Sequence, residues 1–258
     1  MTTKADPGGF PIRRVGDVPT VMPKQMREIQ RVAQEDFGYD ILQLMENAGR
    51  NVAMLALQML GGRGRGQRVV VLAGGGNKGG SGLCAVRHLV NWGCHVRMIL
   101  GEVESEASFA ARKQLQLLRA TGIADTAQDE GMEILLEEQL ASADLIIDAL
   151  RGYGLEGPPT GIGAAVTELA VAARRPILAV DVPTGVDAAS GEISRPAIMA
   201  ATTLALDLPK KGTVTAAARA AVGELYLGDL GIPLSVHERL GFHVAGLFNE
   251  GPIVRLKR

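Results

Sequence analysis

The sequence has few cysteines, few aromatic residues and no excess of charge of either sign, and each shortage excludes a class of protein. Two cysteines, Cys84 and Cys94, cannot form a disulfide framework, so a reduced, cytoplasmic setting is expected. The formal net charge is −1 and the basic residues are scattered, which argues against nucleic-acid or anionic membrane partners. No apolar run approaches the roughly 18 residues of a membrane span, and the N-terminus lacks a signal-peptide core.

Familiar catalytic patterns are missing as well. The four histidines show no metal-ligand spacing, and no Cys–His or Ser–His–Asp order is recognisable, so solvated or core histidines are favoured. The Walker phosphate loop, G-x-x-x-x-G-K-[ST], does not occur. The hydrophobic content of 47% comes mostly from Ala, Val, Leu and Ile, with 3% aromatics, and this composition suits parallel strands packed under helices.

The apolar periodicity alternates between strands and helices and predicts an α/β fold with a mostly parallel, doubly wound sheet. Residues 1–19, with three prolines and few large apolar residues, are predicted to be a flexible leader, and residues 20–258 a single domain. Two helices, one from Lys24 and one over 41–60, precede the first strand. The predicted strands cover 68–73, 94–100, 144–150, the stretch from Pro176 to Asp181, 203–208 and 223–227. Helices are predicted between them over 83–92, 105–121, 132–141 and 163–173.

The most informative stretch is residues 74–82, GGGNKGGSG, which follows the first predicted strand and precedes a predicted helix. A strand, a glycine turn and a helix together present backbone N–H groups and a helix N-terminus to an anion, usually a phosphate. Glycine permits positive φ and close approach of a ligand. Alternatively, the glycine turn is only a tight connection that binds no ligand. A nicotinamide dehydrogenase is a further alternative, since the turn satisfies G-x-G-x-x-G and Glu102 follows the second strand. No Tyr–Lys, Cys or His constellation of such an enzyme accompanies the turn, however.

Two predicted strands end in acidic residues, Asp148 and Asp181. A carboxylate at the tip of an apolar strand is costly to bury unpaired, although a single Asp is often a helix cap or a turn residue. Because the carboxyl ends of parallel strands share one edge of the sheet, we expect both to lie near the glycine turn in one ligand site.

Five motifs occur in order along the chain: 44–49 (LMENAG), the glycine turn with 85–89 (AVRHL), 148–150 (DAL), 180–188 (VDVPTGVDA) and 209–212 (PKKG). Together they resemble the YjeF N-terminal domain family, the NAD(P)H-hydrate epimerases, over about residues 24–233. The resemblance implies a three-layer α/β/α Rossmann-like fold, often dimeric. Many members are fused to a hydrate dehydratase, and this chain is expected to be a stand-alone epimerase domain that works with a separate dehydratase.

The resemblance also implies the chemistry. Hydrated NADH or NADPH is the substrate, no organic cofactor is needed, and Asp181 moves the proton as the ring hydroxyl leaves and returns, or as the ring opens and closes. The implied dinucleotide-binding positions are Asn77, Lys78, Gly79, Gly80, Ser81, Gly152, Tyr153, Gly154, Leu155, Glu156, Gly157, Pro158 and Asp181. A potassium ion is implied at position 78, Asp148 and Thr184.

Three residues depart from the family pattern: Lys78 replaces an Asn, Ser81 an Asp and Tyr153 a Thr. Lys78 puts an ammonium where a potassium ligand is expected. One hypothesis is that it replaces the ion and pairs with Asp148, whose ionised form it would favour. The other is that it points to solvent or to a ligand phosphate and the ion site is lost.

Two functions therefore remain open at this stage. Asn77, Asp148, Asp181 and Thr184 favour an active epimerase. The three departures favour a nucleotide-binding or protein-interaction module of the same fold that has lost turnover.

Overall fold

The computed structural model describes residues 5–6, 8–123, 132–154 and 157–258 of the chain. Over these residues the strands are β1 (Ile12–Arg14), β2 (Arg68–Ala73), β3 (His95–Leu100), β4 (Leu145–Ala149), β5 (Ile177–Val180), β6 (Thr202–Leu206), β7 (Glu224–Gly228) and β8 (Ile253–Lys257). The helices are α1 (Pro23–Arg31), α2 (Ile41–Met59), α3 (Asn77–Asn91), α4 (Phe109–Ala120), α5 (Met132–Ser142), α6 (Gly161–Ala172), α7 (Arg219–Val222) and α8 (Leu234–Arg239).

The strands form one sheet in the order β1-β8-β7-β6-β5-β4-β2-β3. Neighbouring strands are parallel except β7 and β8. The predicted α/β fold with a mostly parallel sheet is therefore confirmed. Strands β3 and β4 lie on opposite sides of β2, so the chain changes direction across the sheet at this point. Such a switch point opens a crevice at the carboxyl ends of the strands, where ligands bind in this class of fold.

Strand β2 contributes to two separate cores, because successive side chains of a strand point to opposite faces. Val69 and Val71 belong to the larger core, with buried residues of α2, α3 and α4. Val70 and Leu72 belong to the smaller core, with residues of α5 and α6. The sheet thus lies between two helical layers, which is the predicted three-layer arrangement.

Helix α3 begins at Asn77, six residues before the predicted start, so half of the predicted glycine turn is helical. Positive φ is not the reason for its glycines, since residues 74–82 are all described and none adopts it. Close packing is the reason. A Cβ on Gly79 would lie 1.7 Å from the carbonyl oxygen of Gly74, and one on Gly82 would lie 2.5 Å from the Cβ of Ala149. Helix α3 therefore sits directly against the turn and against β4.

Two strands, β1 at one edge of the sheet and β8 beside it, were not predicted. Residues 12–14, expected within a flexible leader, pair in parallel with β8, so that prediction is wrong for this stretch. The segment before β1 is held as well, since the hydroxyl of Tyr226 donates to Asp6 Oδ2 at 2.7 Å. Local composition could not show this, because the partners are more than 200 residues away in sequence.

Helix α2, which borders the site, has a well-defined start. Leu42 N donates to Asp40 Oδ1 at 2.7 Å, and Asp40 N donates to the Gln43 side chain at 2.8 Å. This reciprocal capping box satisfies donors that a helix start leaves free. Within the described part of the chain, no helix is long and apolar enough to cross a membrane.

Candidate active site

A cavity of about 530 Å³ opens at the carboxyl ends of β2, β4, β5 and β6. Its wall combines the glycine turn, the loop after β4, the residues that follow β5 and β6, and side chains of α1 and α2. Seven predicted site residues line it: Asn77, Lys78, Ser81, Gly152, Tyr153, Gly154 and Asp181. The cavity lies at the switch point of the sheet, where the sequence placed the ligand site.

The other predicted residues are not on this wall. Gly79 and Gly80 are buried in the packing of α3, while Asp148 and Thr184 lie behind Lys78 and are buried. Gly157 and Pro158 are exposed residues outside the lining. Leu155 and Glu156 lie outside the described residues.

Asp181 directly follows β5 and is held in an unusual backbone conformation. Its φ is +65°, in the left-handed region, a strain of about 1–3 kcal/mol for a residue other than glycine. The residue as a whole is 3% exposed. Oδ1 accepts hydrogen bonds from Lys210 Nζ at 2.5 Å and from Leu206 N at 3.2 Å. Among the described residues no donor reaches Oδ2, so this oxygen is available to a ligand.

Lys210 is the partner of Asp181, and sequence reasoning gave it no role beyond its place in a motif. It is 1% exposed and also donates to the carbonyl oxygen of Leu206 at 2.8 Å. Its Nζ lies 5.2 Å from the ring centroid of Tyr153, a favourable cation–π distance. The available signal was its position four residues after β6, whose carboxyl end shares the edge that carries Asp181.

Asp148, at the end of β4, has a fully occupied carboxylate. Oδ1 accepts from Thr184 Oγ1 at 2.6 Å and from Leu150 N at 3.1 Å. Oδ2 accepts from Thr184 N at 2.8 Å and from Lys78 Nζ at 3.2 Å. The side chain is fully buried. These donors hold it in place and leave it no free oxygen for a substrate.

Lys78 completes this group from the first turn of α3. Its Nζ also donates to the carbonyl oxygens of Val182 at 2.7 Å and Arg151 at 2.8 Å, and lies 3.4 Å from Thr184 Oγ1. Burial lowers the pKa of Lys78, and the carboxylate of Asp148 opposes this shift. Carbonyl, hydroxyl and carboxylate oxygens suit a potassium ion. The ammonium, however, occupies the point on which they converge, so these residues do not fit an additional ion.

Tyr153 links the loop after β4 to α1. Its hydroxyl donates to Gln30 Oε1 at 2.7 Å, and burial raises the pKa of the phenol. Glu102 also lines the cavity and accepts a hydrogen bond from Gly75 N at 3.1 Å. Sequence reasoning did not find Gln30, because its helix precedes every motif that pointed to the site.

Glu46, Cys84 and His88 form a second polar group, between α2 and α3. Their ligand atoms lie within 4.8 Å of one another, a spacing that could hold a metal ion. The guanidinium of Arg87 already pairs with the Glu46 carboxylate, which balances its charge. Burial raises the pKa of Cys84 to about 12, and the thiol donates to Glu46 at 3.2 Å. We interpret the group as a polar link between the two helices.

Comparison with known proteins identifies the family. The family model described as YjeF-related protein N-terminus matches residues 41–212. The NAD(P)H-hydrate epimerase of Dehalogenimonas lykanthroporepellens is 42% identical over 233 residues, which cover 90% of each chain. The chain belongs to the YjeF N-terminal family. The resemblance predicted from five ordered motifs is confirmed.

Other members of the family show how widely the domain is used. The NAD(P)H-hydrate epimerase of Rhodopirellula baltica is 32% identical over 225 residues, with 87% of this chain and 89% of that one covered. The bifunctional NAD(P)H-hydrate repair enzyme Nnr of Moorella thermoacetica is 32% identical over 221 residues, 83% of this chain but 40% of its own length. The crystal structure of yeast ynu0, YNL200c, matches with a TM-score of 0.81 and 29% identity, over 93% of this chain and 100% of that one.

Proposed function

We propose that this chain is an NAD(P)H-hydrate epimerase, an isomerase that interconverts the two epimers of hydrated NADH or NADPH. The observation that carries the proposal is Asp181. It lies on the cavity wall, Lys210 orients it through one oxygen, and the other oxygen has no donor among the described residues. The names of the stand-alone relatives support the same function.

Epimerisation needs a group that both gives and takes a proton at the hydroxyl of the hydrated ring carbon. If the hydroxyl leaves, the ring nitrogen supplies the electron pair as the C–O bond breaks. The departing oxygen takes a proton from the Asp181–Lys210 pair, and water then adds to the other face and returns it. If the ring opens, the hydroxyl proton moves to Asp181 as the ring C–N bond breaks, and the pair passes a proton to the ring nitrogen, which keeps the bonding electrons. On closure the nitrogen attacks the other face of the aldehyde and gives up this proton, and the pair returns one to the oxygen. The pair is regenerated by either route.

The first turn of α3 is the proposed site for the diphosphate of the dinucleotide. The N-terminus of a helix presents unpaired N–H groups and a partial positive charge to anions. Asn77, the first residue of this helix, is exposed and lines the cavity. The positions Lys78, Gly79, Gly80 and Ser81 contribute backbone to the same turn, and Gly152, Tyr153 and Gly154 form the facing wall.

The second candidate is a binding module of the same fold without turnover. Ser81 favours it, since the hydroxyl replaces a family acid and donates to Asn77 O at 3.0 Å within the helix. The names of the relatives favour the enzyme.

The test is a coupled assay. The purified chain is given the hydrate epimer that a dehydratase cannot use, with that dehydratase in excess, and NADH recovery is followed. We expect recovery well above the spontaneous rate, and its loss in Asp181→Asn. Tight dinucleotide binding by calorimetry without any acceleration would support the binding module instead.

The place of the reaction in metabolism is also proposed. The bifunctional relatives, of which this chain covers about 40%, are consistent with a dehydratase that consumes the product. The homodimer implied by the resemblance and the cytoplasmic location expected from the low cysteine content stay predictions.

A further inference from the structure

The four oxygens around Lys78 Nζ come from two separate loops that form the floor of the site. Asp148 and Arg151 belong to the end of β4 and the loop after it, while Val182 and Thr184 follow β5. The distances from Nζ range from 2.7 to 3.4 Å, and Lys78 is only 7% exposed. An ammonium has three protons to donate, so the four oxygens outnumber the hydrogen bonds that it can make. Together they form a shell that surrounds the ammonium on several sides.

Such a shell is chemically that of a dehydrated monovalent cation. Backbone carbonyls replace the water of K⁺ in known filters, and one carboxylate balances a single positive charge. A lysine ammonium is a compact point charge of the same sign. The structure assigns Lys78 as a built-in replacement for a potassium ion: the protein binds no monovalent cation here, and its activity does not depend on potassium.

The ammonium of Lys78 also has a positioning role, because it hydrogen-bonds to the residue next to Asp181. Val182 follows Asp181 in the chain, and its carbonyl receives the shortest of the Lys78 hydrogen bonds, at 2.7 Å. The backbone of Asp181 is strained, and strain persists only where its surroundings hold it. Lys78 thereby connects the first turn of α3 with the backbone of the proposed proton-transfer residue.

The first test uses the native protein and needs no variant. Thermal unfolding and calorimetry are run in KCl and in choline chloride at equal ionic strength, and Tl⁺ NMR serves as a direct probe of K⁺-type sites. We expect equal melting temperatures, no saturable heat and no bound Tl⁺ signal. Saturable binding of K⁺ or Tl⁺ by the native chain would overturn the inference.

The second test removes the ammonium, so that the four oxygens around it are free to bind an ion. Lys78→Asn supplies an amide oxygen in place of the ammonium, and Lys113→Asn, at an exposed lysine of α4, is the matched control. We expect Lys78→Asn to gain saturable K⁺ and Tl⁺ binding and a higher melting temperature in KCl, while the control stays insensitive. A folded Lys78→Asn that binds neither ion would contradict a cation shell at this place. If that variant does not fold, Lys78→Ala prepared in ammonium or methylammonium chloride provides the same comparison with choline.

A third test measures activity, and it rests on the proposed function. It distinguishes a failure of the cation-replacement inference from a failure of the proposed epimerase function. In the coupled assay the native rate should be the same in KCl and choline chloride. Lys78→Asn should turn over about tenfold faster in KCl, the equivalent of one hydrogen bond to a charged group. A native rate that rises with K⁺ would overturn the inference. No turnover by any variant, together with the expected binding results, would remove the proposed function and leave the cation replacement intact.

Discussion

Two buried lysine–aspartate pairs lie side by side in this site, and they differ in how completely they are satisfied. Asp148 accepts four hydrogen bonds, and Lys78 faces four oxygens. Asp181 uses one oxygen only within the described structure, and Lys210 turns toward the face of Tyr153. A saturated pair holds its surroundings in place. A pair with an unbonded oxygen on a cavity wall can exchange a proton with a ligand. We therefore assign a structural role to Lys78 and Asp148, and proton transfer to Asp181 with Lys210.

Asp181→Asn is expected to have the largest effect. An amide of the same shape cannot give and take the proton, and the loss of general acid–base catalysis costs about 10²–10⁴-fold in rate. The measurement is kcat/KM in the coupled assay, with dinucleotide affinity followed by calorimetry. Retained affinity with lost turnover is the expected result. If Asp148→Asn lost turnover equally without any loss of stability, the division of roles between the two pairs would be wrong.

Lys78→Met should destabilise the fold by about 3 kcal/mol, because it leaves the fully buried Asp148 carboxylate without its cation. Urea unfolding of this variant is compared with Lys113→Met, an exposed substitution expected to change the free energy of unfolding by less than about 0.5 kcal/mol. Similar values for the two variants would show that Asp148 does not need the charge.

Lys210→Met tests the open pair from its other side. We expect kcat to fall on the order of 10–100-fold, less than in Asp181→Asn, because the carboxylate remains. The measurement is kcat in the coupled assay, with the free energy of unfolding of the same variant followed in urea. An unchanged kcat together with reduced stability would assign Lys210 a structural role only.

A third buried aspartate, Asp207, pairs with a histidine instead of a lysine. The pH dependence of stability that we expect from this pair is the smallest of the predicted effects. Asp207 follows β6 with φ of +63°, as Asp181 follows β5, but it pairs with His237 at 3.0 Å. Burial disfavours the charged imidazole, and the hydrogen bond and charge of Asp207 outweigh it, so the pKa of His237 is raised above 6.5.

The stabilisation by this pair is therefore fully present below about pH 6.5 and is lost as the pH rises through the higher folded pKa. The free energy of unfolding, measured across that range, should fall by about 1 kcal/mol or less in the native chain. His237→Gln should flatten the curve. A native curve that rises with pH over the same range would contradict the assignment.

The strands that build the site could be predicted from the sequence. The start of the helix between two of them, and the contacts of the side chains in the connecting loops, could not. Apolar runs ending in Asp148 and Asp181 placed both residues correctly at one edge of the sheet, since parallel strands leave no other choice. The start of α3 was predicted too late, because glycine has low helix propensity, yet packing of Gly79 against Gly74 requires glycine within that helix.

The direction of Lys78 could not be decided from sequence either. A lysine after a glycine turn can point to solvent, to a phosphate or inward, and the choice depends on oxygens contributed by two distant loops. Strands β1 and β8 were missed for a similar reason. They are short and carry charged residues, and their pairing joins opposite ends of the described chain.

This last pairing has a consequence for the order in which the molecule forms. The first strand of the described chain, β1, has a single neighbour in the sheet, and that neighbour is the last strand, β8. During synthesis β1 has no partner until residues 253–257 leave the ribosome, and until then β7 also keeps an open edge. The central strands can assemble beforehand, since β2 to β7 need neither end of the chain. Closure of this edge therefore has to wait for β8, and until it closes a nascent chain is exposed to pairing with another copy.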